Sequence, residues 1–270
     1  MGFNMAVTHA CVVSPMPGRP WNLLQRAFTR TTGAITHVAT SEPLVALTFD
    51  DGPNPDATPR LLEILAAHGA KATFFMTGEH AAAHPELVAE VRRGGHAIGN
   101  HTWDHPSLPL IPGPDRRRQI RECAKVLPTD GDRLFRAPYG NLSAAAQWDV
   151  WRSGYRLIGW STIIPDWQPL DAATLAGQAL EAMRPGAIVV MHDGLVDFIT
   201  ADVLDRQPTL DAVALLLTEM GNRYRFVTIP ELLRSGKAIR ARKRIPPDPA
   251  LLNQLQRRHG TPHRYPVPAA

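Results

Sequence analysis

From residue 44 onward, short β-rich runs alternate with helical patterns at a spacing of about thirty residues per pair, which is the rhythm of βα units laid around a parallel sheet. Seven strands are predicted: LVALTF (44–49), KATFFM (71–76), HAIG (96–99), LFRA (134–137), YRLIGW (155–160), AIVVMH (187–192) and YRFVTI (224–229). The helices between them carry their own punctuation. Pro59 after Thr58, Pro85 and Asp171 mark three starts, and Gly69, Gly94 and Gly221 mark three ends. Seven such repeats predict either an incomplete (β/α) barrel or a doubly wound sheet, and periodicity alone does not choose between them. In both architectures the chemistry belongs at the C-terminal strand ends.

The chain has 270 residues, 44% of them apolar, which suits one domain of barrel size. Cys11 and Cys123 form neither a disulfide framework nor a CxxC clip, so any metal must rest on His and Asp. No run of about 18 apolar residues is present, and the N-terminus lacks the layout of a secretory signal, so the expectation is a cytoplasmic protein. The net charge of +4 divides unevenly. Residues 237–270 hold eight Lys or Arg against Asp248, and residues 1–40 hold three Arg and no acid, which leaves −6 for the segment between. A mildly acidic domain with two basic ends is not the layout of a nucleic-acid binder, and none is expected as a partner. Residues 1–40 and 237–270 show no strand rhythm and are read as an N-terminal arm and a basic, Pro-rich tail flanking a catalytic domain at 41–236. Within the first arm, residues 20–32 pair Trp21, Leu24 and Phe28 with Arg26 and Arg30, a pattern shared by helices that touch a membrane surface and helices that pack on a barrel.

Strand one ends in TFDDGPN, where Asp50 and Asp51 emerge on a turn that Gly52 and Pro53 force away from the sheet. Successive side chains on a strand point to opposite sides, so the two carboxylates serve different tasks, such as metal ligand and base. Strand three runs into GNHTWDH, which places His101 and His105 four residues apart, a spacing that lets both imidazoles reach one ion. Together with Asp51 they make a His2Asp set with open positions for water and substrate. FRAPYGN places Arg136 beside a turn whose backbone amides face the site, and a buried Arg there needs Asp50 or Asp166 as its anion. GWSTIIPDWQP supplies Asp166 with Trp160 and Trp167, aromatic surfaces of the kind that stack on sugars. AIVVMHDG ends at His192, which an Asp166 partner would tune as a general acid.

These residues resemble the polysaccharide deacetylases with NodB homology, carbohydrate esterase family four. The five ordered motifs stand here as TFDDG (48–52), HTWDH (101–105), RAPYG (136–140), DW (166–167) and VMH (190–192), and the resemblance spans roughly residues 44 to 236. It implies a distorted, incomplete (β/α) barrel with about seven parallel strands. It further implies Asp51, His101 and His105 as ligands of one divalent metal ion, Zn2+ before Co2+, Mn2+ or Ni2+. Asp50 would be the base, oriented by Arg136, His192 the acid, tuned by Asp166, and the Tyr139 amide an oxyanion donor. Trp160, Trp167 and Val190 would border the substrate. Ile163 stands where the family usually has Asp, and Val190 where it usually has Leu, departures that bear on substrate choice. The implied reaction is removal of an N-acetyl group from N-acetylglucosamine-type residues of an oligo- or polysaccharide. A deacetylase or deformylase of a lipid-linked or antibiotic-precursor amino sugar is the alternative, and a non-catalytic carbohydrate-binding protein is the second.

Overall fold

The computed structural model describes residues 31–128, 131–196 and 205–241. Strand β2 (Leu44–Asp50), buried along its whole length, lies at the centre of a curled parallel sheet. On one side follow β3 (Ala72–Met76), β4 (Ala97–Asn100), β5 (Leu134–Phe135) and β6 (Arg156–Leu157), and on the other β8 (Ile188–His192) and then β7 (Thr162–Ile163). A short β9 (Arg225–Phe226) pairs with the first two residues of β2, and the Lys71 amide donates to its Phe226 carbonyl at 3.0 Å. The fold is thus the incomplete (β/α) barrel, open between β6 and β7, and the doubly wound alternative falls.

The two-residue period of the strands sorts the core into an outer and an inner layer. Val45, Leu47 and Phe49 of β2 and Val189 and Met191 of β8 face outward. There they meet helices α1 (Thr58–Ala67), α6 (Ala172–Ala182) and α7 (Gln207–Met220) through Leu61, Leu65, Leu175, Leu210 and Val213. Leu44 and Ala46 of β2 face inward with Ile188 and Val190 of β8, Phe75 and Trp160. The same inward rank on β2 continues with Thr48 and Asp50, and on β8 with His192, so these two strands carry their charged inward groups at their C-terminal ends. The predicted helix starts hold: Pro59 and Pro85 occupy the first turns of α1 and α3 (Pro85–Arg93), and Asp171 caps α6 by accepting from the Thr174 amide at 2.8 Å.

Two departures concern the segments read as arms. Ala34–Ala39 forms β1 and Lys237–Ala241 forms β10, which pair antiparallel, so the folded body extends beyond 41–236 at both ends. Strand β1 crosses the mouth of the open barrel: the Gly159 amide donates to the Ile35 carbonyl at 2.7 Å and the Val38 amide to the Gly186 carbonyl at 2.9 Å. A lone strand with no helix behind it does not register in a βα rhythm. The run YRLIGW is likewise shorter than predicted, and β7 lies just beyond it at Thr162–Ile163, where no strand is predicted. Residues 20–30 and the tail beyond 241 lie outside the described residues. Among the described residues, no helix is long and apolar enough to cross a membrane.

Candidate active site

Asp51 follows β2 with φ of 75°, a left-handed conformation that breaks the strand's alternation, so that both its carboxylate and that of Asp50 approach His101 Nε2, at 3.4 and 4.0 Å. His101 follows β4, and the loop HTWDH is wound tightly by left-handed Thr102 and His105 (φ 70° and 61°). The loop is tied from within. Asn100 Oδ1 accepts from the Thr102 amide at 2.9 Å, Thr102 Oγ1 from the His105 amide at 3.1 Å, and Gln119 Oε1 of α4 (Gly113–Val126) from the Trp103 amide at 2.8 Å. Left-handed non-glycine residues gathered in one place store strain at a functional site. Tyr139, with φ of 56°, is the fourth, and its ring meets that of His105 edge-on at 4.5 Å.

One donor atom from each of Asp51, His101 and His105 lies within 4.8 Å of the other two. Asp51 Oδ1 stands 3.4 Å from His101 Nε2 and 3.2 Å from His105 Nε2, yet this buried oxygen accepts no hydrogen bond. His101 Nδ1 donates to the Arg136 carbonyl at 2.9 Å, which fixes the tautomer and leaves the Nε2 lone pair aimed at the cluster. Burial works to raise the Asp51 carboxyl, but the imidazoles of His105 and His101 prevail and hold it below the usual carboxylate range. An anionic oxygen without a donor, facing two imidazole nitrogens, fits a divalent cation of borderline softness, and these three residues would hold it.

Asp50 faces the barrel interior and is gripped by Arg136, a fully buried residue. Arg136 Nη1 donates to Asp50 Oδ1 at 2.6 Å and to Thr48 Oγ1 at 2.8 Å, and Nη2 donates to the Gly159 carbonyl at 3.2 Å. The guanidinium lies over the Phe75 ring at 4.0 Å, with the Trp160 ring at 5.9 Å. Burial pulls the Arg136 pKa below its ordinary value, opposed by the Asp50 charge. Asp50 Oδ2 lies 4.0 Å from His101 Nε2, so one carboxylate oxygen belongs to the arginine and the other faces the cluster of Asp51, His101 and His105.

Across the β2–β8 pair, His192 is the register partner of Asp50. Its Nδ1 pairs with Asp166 Oδ1 at 2.7 Å, and its backbone amide donates to Asp166 Oδ2 at 2.8 Å. Burial alone would lower its pKa, but Asp166, then Asp51 and Asp50, raise it to about 9. The folded protein therefore binds this proton more tightly than the unfolded chain, whose value is 6.5. For the metal-free protein, that contribution to stability is complete below pH 6.5 and is lost as pH rises through about 9. The midpoint of thermal unfolding should fall across this window, and His192→Gln should flatten the fall. An equal slope in the variant would show that His192 is not the group responsible.

Two buried residues escaped the sequence reading. Arg206, just before α7, donates from Nη2 to Asp166 Oδ2 at 2.7 Å and to Thr209 Oγ1 at 2.7 Å. Asp193 accepts from Thr58 Oγ1 at 2.5 Å against the turn at Gly52, and burial pushes its carboxyl up to about 7. A side chain at Gly52 would collide with Asp193, so the glycine beside Asp51 is required by close approach as well as by the turn. The position of Asp193 next to His192 was the one available signal, and Arg206 gave none.

The groove expectations divide. Trp167 is 40% exposed and meets His192 edge-on at 5.5 Å, so it presents a face beside that imidazole. Trp160, 8% exposed, instead packs in the barrel interior. Val190 is a correction: it has no exposed surface, because the period of β8 puts it one inward layer below His192, where it packs rather than borders a substrate. Ile163, the register partner of Val190 on β7, is 36% exposed.

Residues 37–158 match the family described as polysaccharide deacetylase. A chitooligosaccharide deacetylase of Azorhizobium caulinodans is 38% identical over 166 residues, 60% of this chain and 79% of that protein. A peptidoglycan-N-acetylglucosamine deacetylase of Bacillus cereus is 34% identical over 218 residues, 78% of this chain and 99% of the relative. Among solved structures, the Bc1960 peptidoglycan N-acetylglucosamine deacetylase superposes with a TM-score of 0.68 at 29% identity, covering 82% of this chain and 100% of that one. The rim that carries Asp51, His101 and His105 lies on a chain that belongs to the polysaccharide deacetylase family.

Proposed function

We propose that this protein is a metal-dependent hydrolase that removes the N-acetyl group from N-acetylglucosamine-type residues of an oligo- or polysaccharide. The observation that carries the reading is the pairing of Asp50 with His192 on adjacent strands, beside the Asp51, His101 and His105 cluster. One carboxylate is held by a buried guanidinium and one imidazole by a buried carboxylate, so the site contains a fixed base and a fixed acid. The chitooligosaccharide and peptidoglycan deacetylases among its relatives support the choice of substrate class.

Asp50 takes the proton of the attacking water while Arg136 keeps the carboxylate oriented. His192 donates through Nδ1 to Asp166, which leaves its Nε2 proton for the departing nitrogen. The Tyr139 backbone amide, on the turn beside His105, serves the oxyanion, and Trp167 offers the sugar a stacking face. When bound, the metal supplies Lewis-acid polarisation of the amide carbonyl and of the water. The His2Asp donor set favours zinc, with Co2+, Mn2+ or Ni2+ as substitutes in the same ligands. A purely carbohydrate-binding module would have no use for a base and an acid both held at such desolvation cost.

Incubation of the zinc-loaded chain with N-acetylated chitooligosaccharides, and in parallel with lipid-linked and N-formylated amino sugars, should be followed by mass spectrometry. The expected products are chitooligosaccharides of unchanged length that have lost acetyl groups, with an equal amount of acetate. Shortened chains, or turnover of the lipid-linked or formylated sugars alone, would overturn this choice of reaction or substrate.

A further inference from the structure

We propose that Arg206 is the positioning residue of the catalytic acid, in the role that Arg136 plays for the base; the inference rests on the deacetylase reading above. One guanidinium grips both members of the acid pair. Its Nη2 donates to Asp166 Oδ2 at 2.7 Å and to the His192 carbonyl at 3.1 Å, while Nη1 donates to the Asp166 carbonyl at 2.8 Å. Thr209, on the first turn of α7, accepts from the same Nη2 at 2.7 Å and lies 3.3 Å from Asp166 Oδ2. The Asp166 side chain is wholly buried and that of Arg206 nearly so, which makes this a desolvated, charge-assisted clamp and not a surface ion pair.

The geometry has a chemical consequence. Asp166 must present Oδ1 to His192 Nδ1 at a fixed angle, because that bond aims Nε2 toward the substrate. With Oδ2 tied to Arg206, Thr209 and the His192 amide, the carboxylate has no freedom to rotate. Charge acts in the same direction as geometry. Among the described residues, the groups facing His192 are Asp50 and Asp51 at the end of β2, Asp166 after β7, the Trp167 edge, and Arg206 before α7. Arg206 is the one cation among these described residues, and it places its positive charge against the Asp166 carboxylate that it grips. In the transfer, the amide C–N bond breaks, its electron pair goes to nitrogen, and nitrogen gains the Nε2 proton, leaving neutral His192 still bonded through Nδ1 to Asp166. A leaving group that needs no proton makes no demand on this arrangement.

The test uses Arg206→Gln and Arg206→Lys in the full zinc-loaded chain with two substrates: N-acetylated chitooligosaccharide, whose amine must be protonated, and 4-nitrophenyl acetate, whose phenolate need not be. In Arg206→Gln the amide kcat should drop at least tenfold, with KM and ester hydrolysis within about twofold of wild type, and Arg206→Lys should recover part of the loss. Independently of turnover, the His192 Nδ1 proton should give a downfield NMR signal that is lost in Arg206→Gln and retained in Arg206→Lys. Equal loss on both substrates would reduce Arg206 to a structural residue, and an unchanged signal with unchanged amide turnover would overturn the proposal. A wild-type chain inactive on the amide would refute the deacetylase reading instead, while the NMR signal would still decide the role of Arg206.

Discussion

Asp51→Ala should leave a protein that loses its metal on dialysis and retains almost no turnover. Asp51 is the sole anion among the three candidate ligands, and its Oδ1 sits between two imidazole nitrogens at 3.4 and 3.2 Å with no hydrogen bond of its own. Without it, two neutral donors remain. Removing a mere outer partner of a ligand costs about 10- to 100-fold in metal affinity, and loss of the charged ligand should exceed that range. Alanine must also adopt the left-handed φ of 75°, at a cost of about 1 kcal/mol, too little to unfold a domain. Metal analysis after dialysis, alongside a thermal unfolding curve, checks the prediction. A cooperative unfolding transition with metal content equal to wild type would remove Asp51 from the ligand set.

The site was legible in the sequence wherever a residue sat at the end of a strong strand. Thr48 and Asp50 continue the inward rank of β2, His192 continues that of β8, and HTWDH follows β4 directly, so a strand assignment carries the functional residue with it. Arg136 could be paired with Asp50 or Asp166 by the need of a buried cation for an anion, and it took Asp50. Asp166 in turn took a second guanidinium that no local pattern announces, because Arg206 stands 40 residues away on the approach to α7. Val190 illustrates the converse error. Two residues before His192, it is expected at the substrate border, whereas strand alternation buries it in the barrel interior.

The fold followed the same logic. The long apolar runs of β2 and β8 were predicted to within a residue because strands covered on both faces read as continuous hydrophobic segments. Strands of two residues, such as β5, β6, β7 and β9, carry too little periodicity to be bounded from sequence. Strands β1 and β10 are joined by a register that spans some 200 residues, and β1 is held in place by hydrogen bonds to Gly159 and Gly186, contacts that no local window contains.

The central claim is that the two adjacent carboxylates do different work, and Asp50→Asn separates them. Asparagine keeps an Oδ1 that accepts from Arg136 Nη1 but cannot take a proton from water, so turnover should fall by on the order of 10²- to 10⁴-fold. The substitution also strips a fully buried guanidinium of its anion, a change that costs roughly 3–5 kcal/mol when a buried pair is broken, so assays belong well below the lowered unfolding midpoint. The question is open to measurement because Asp50 Oδ2 already lies 4.0 Å from His101 Nε2, close enough for a rearranged site to recruit it as a ligand. Zinc per chain and acetate release from chitooligosaccharide should therefore be measured on the same preparations of wild type and Asp50→Asn. Wild-type zinc content with turnover reduced at least a hundredfold is the expected result; undiminished turnover, or zinc lost in step with turnover, would contradict it.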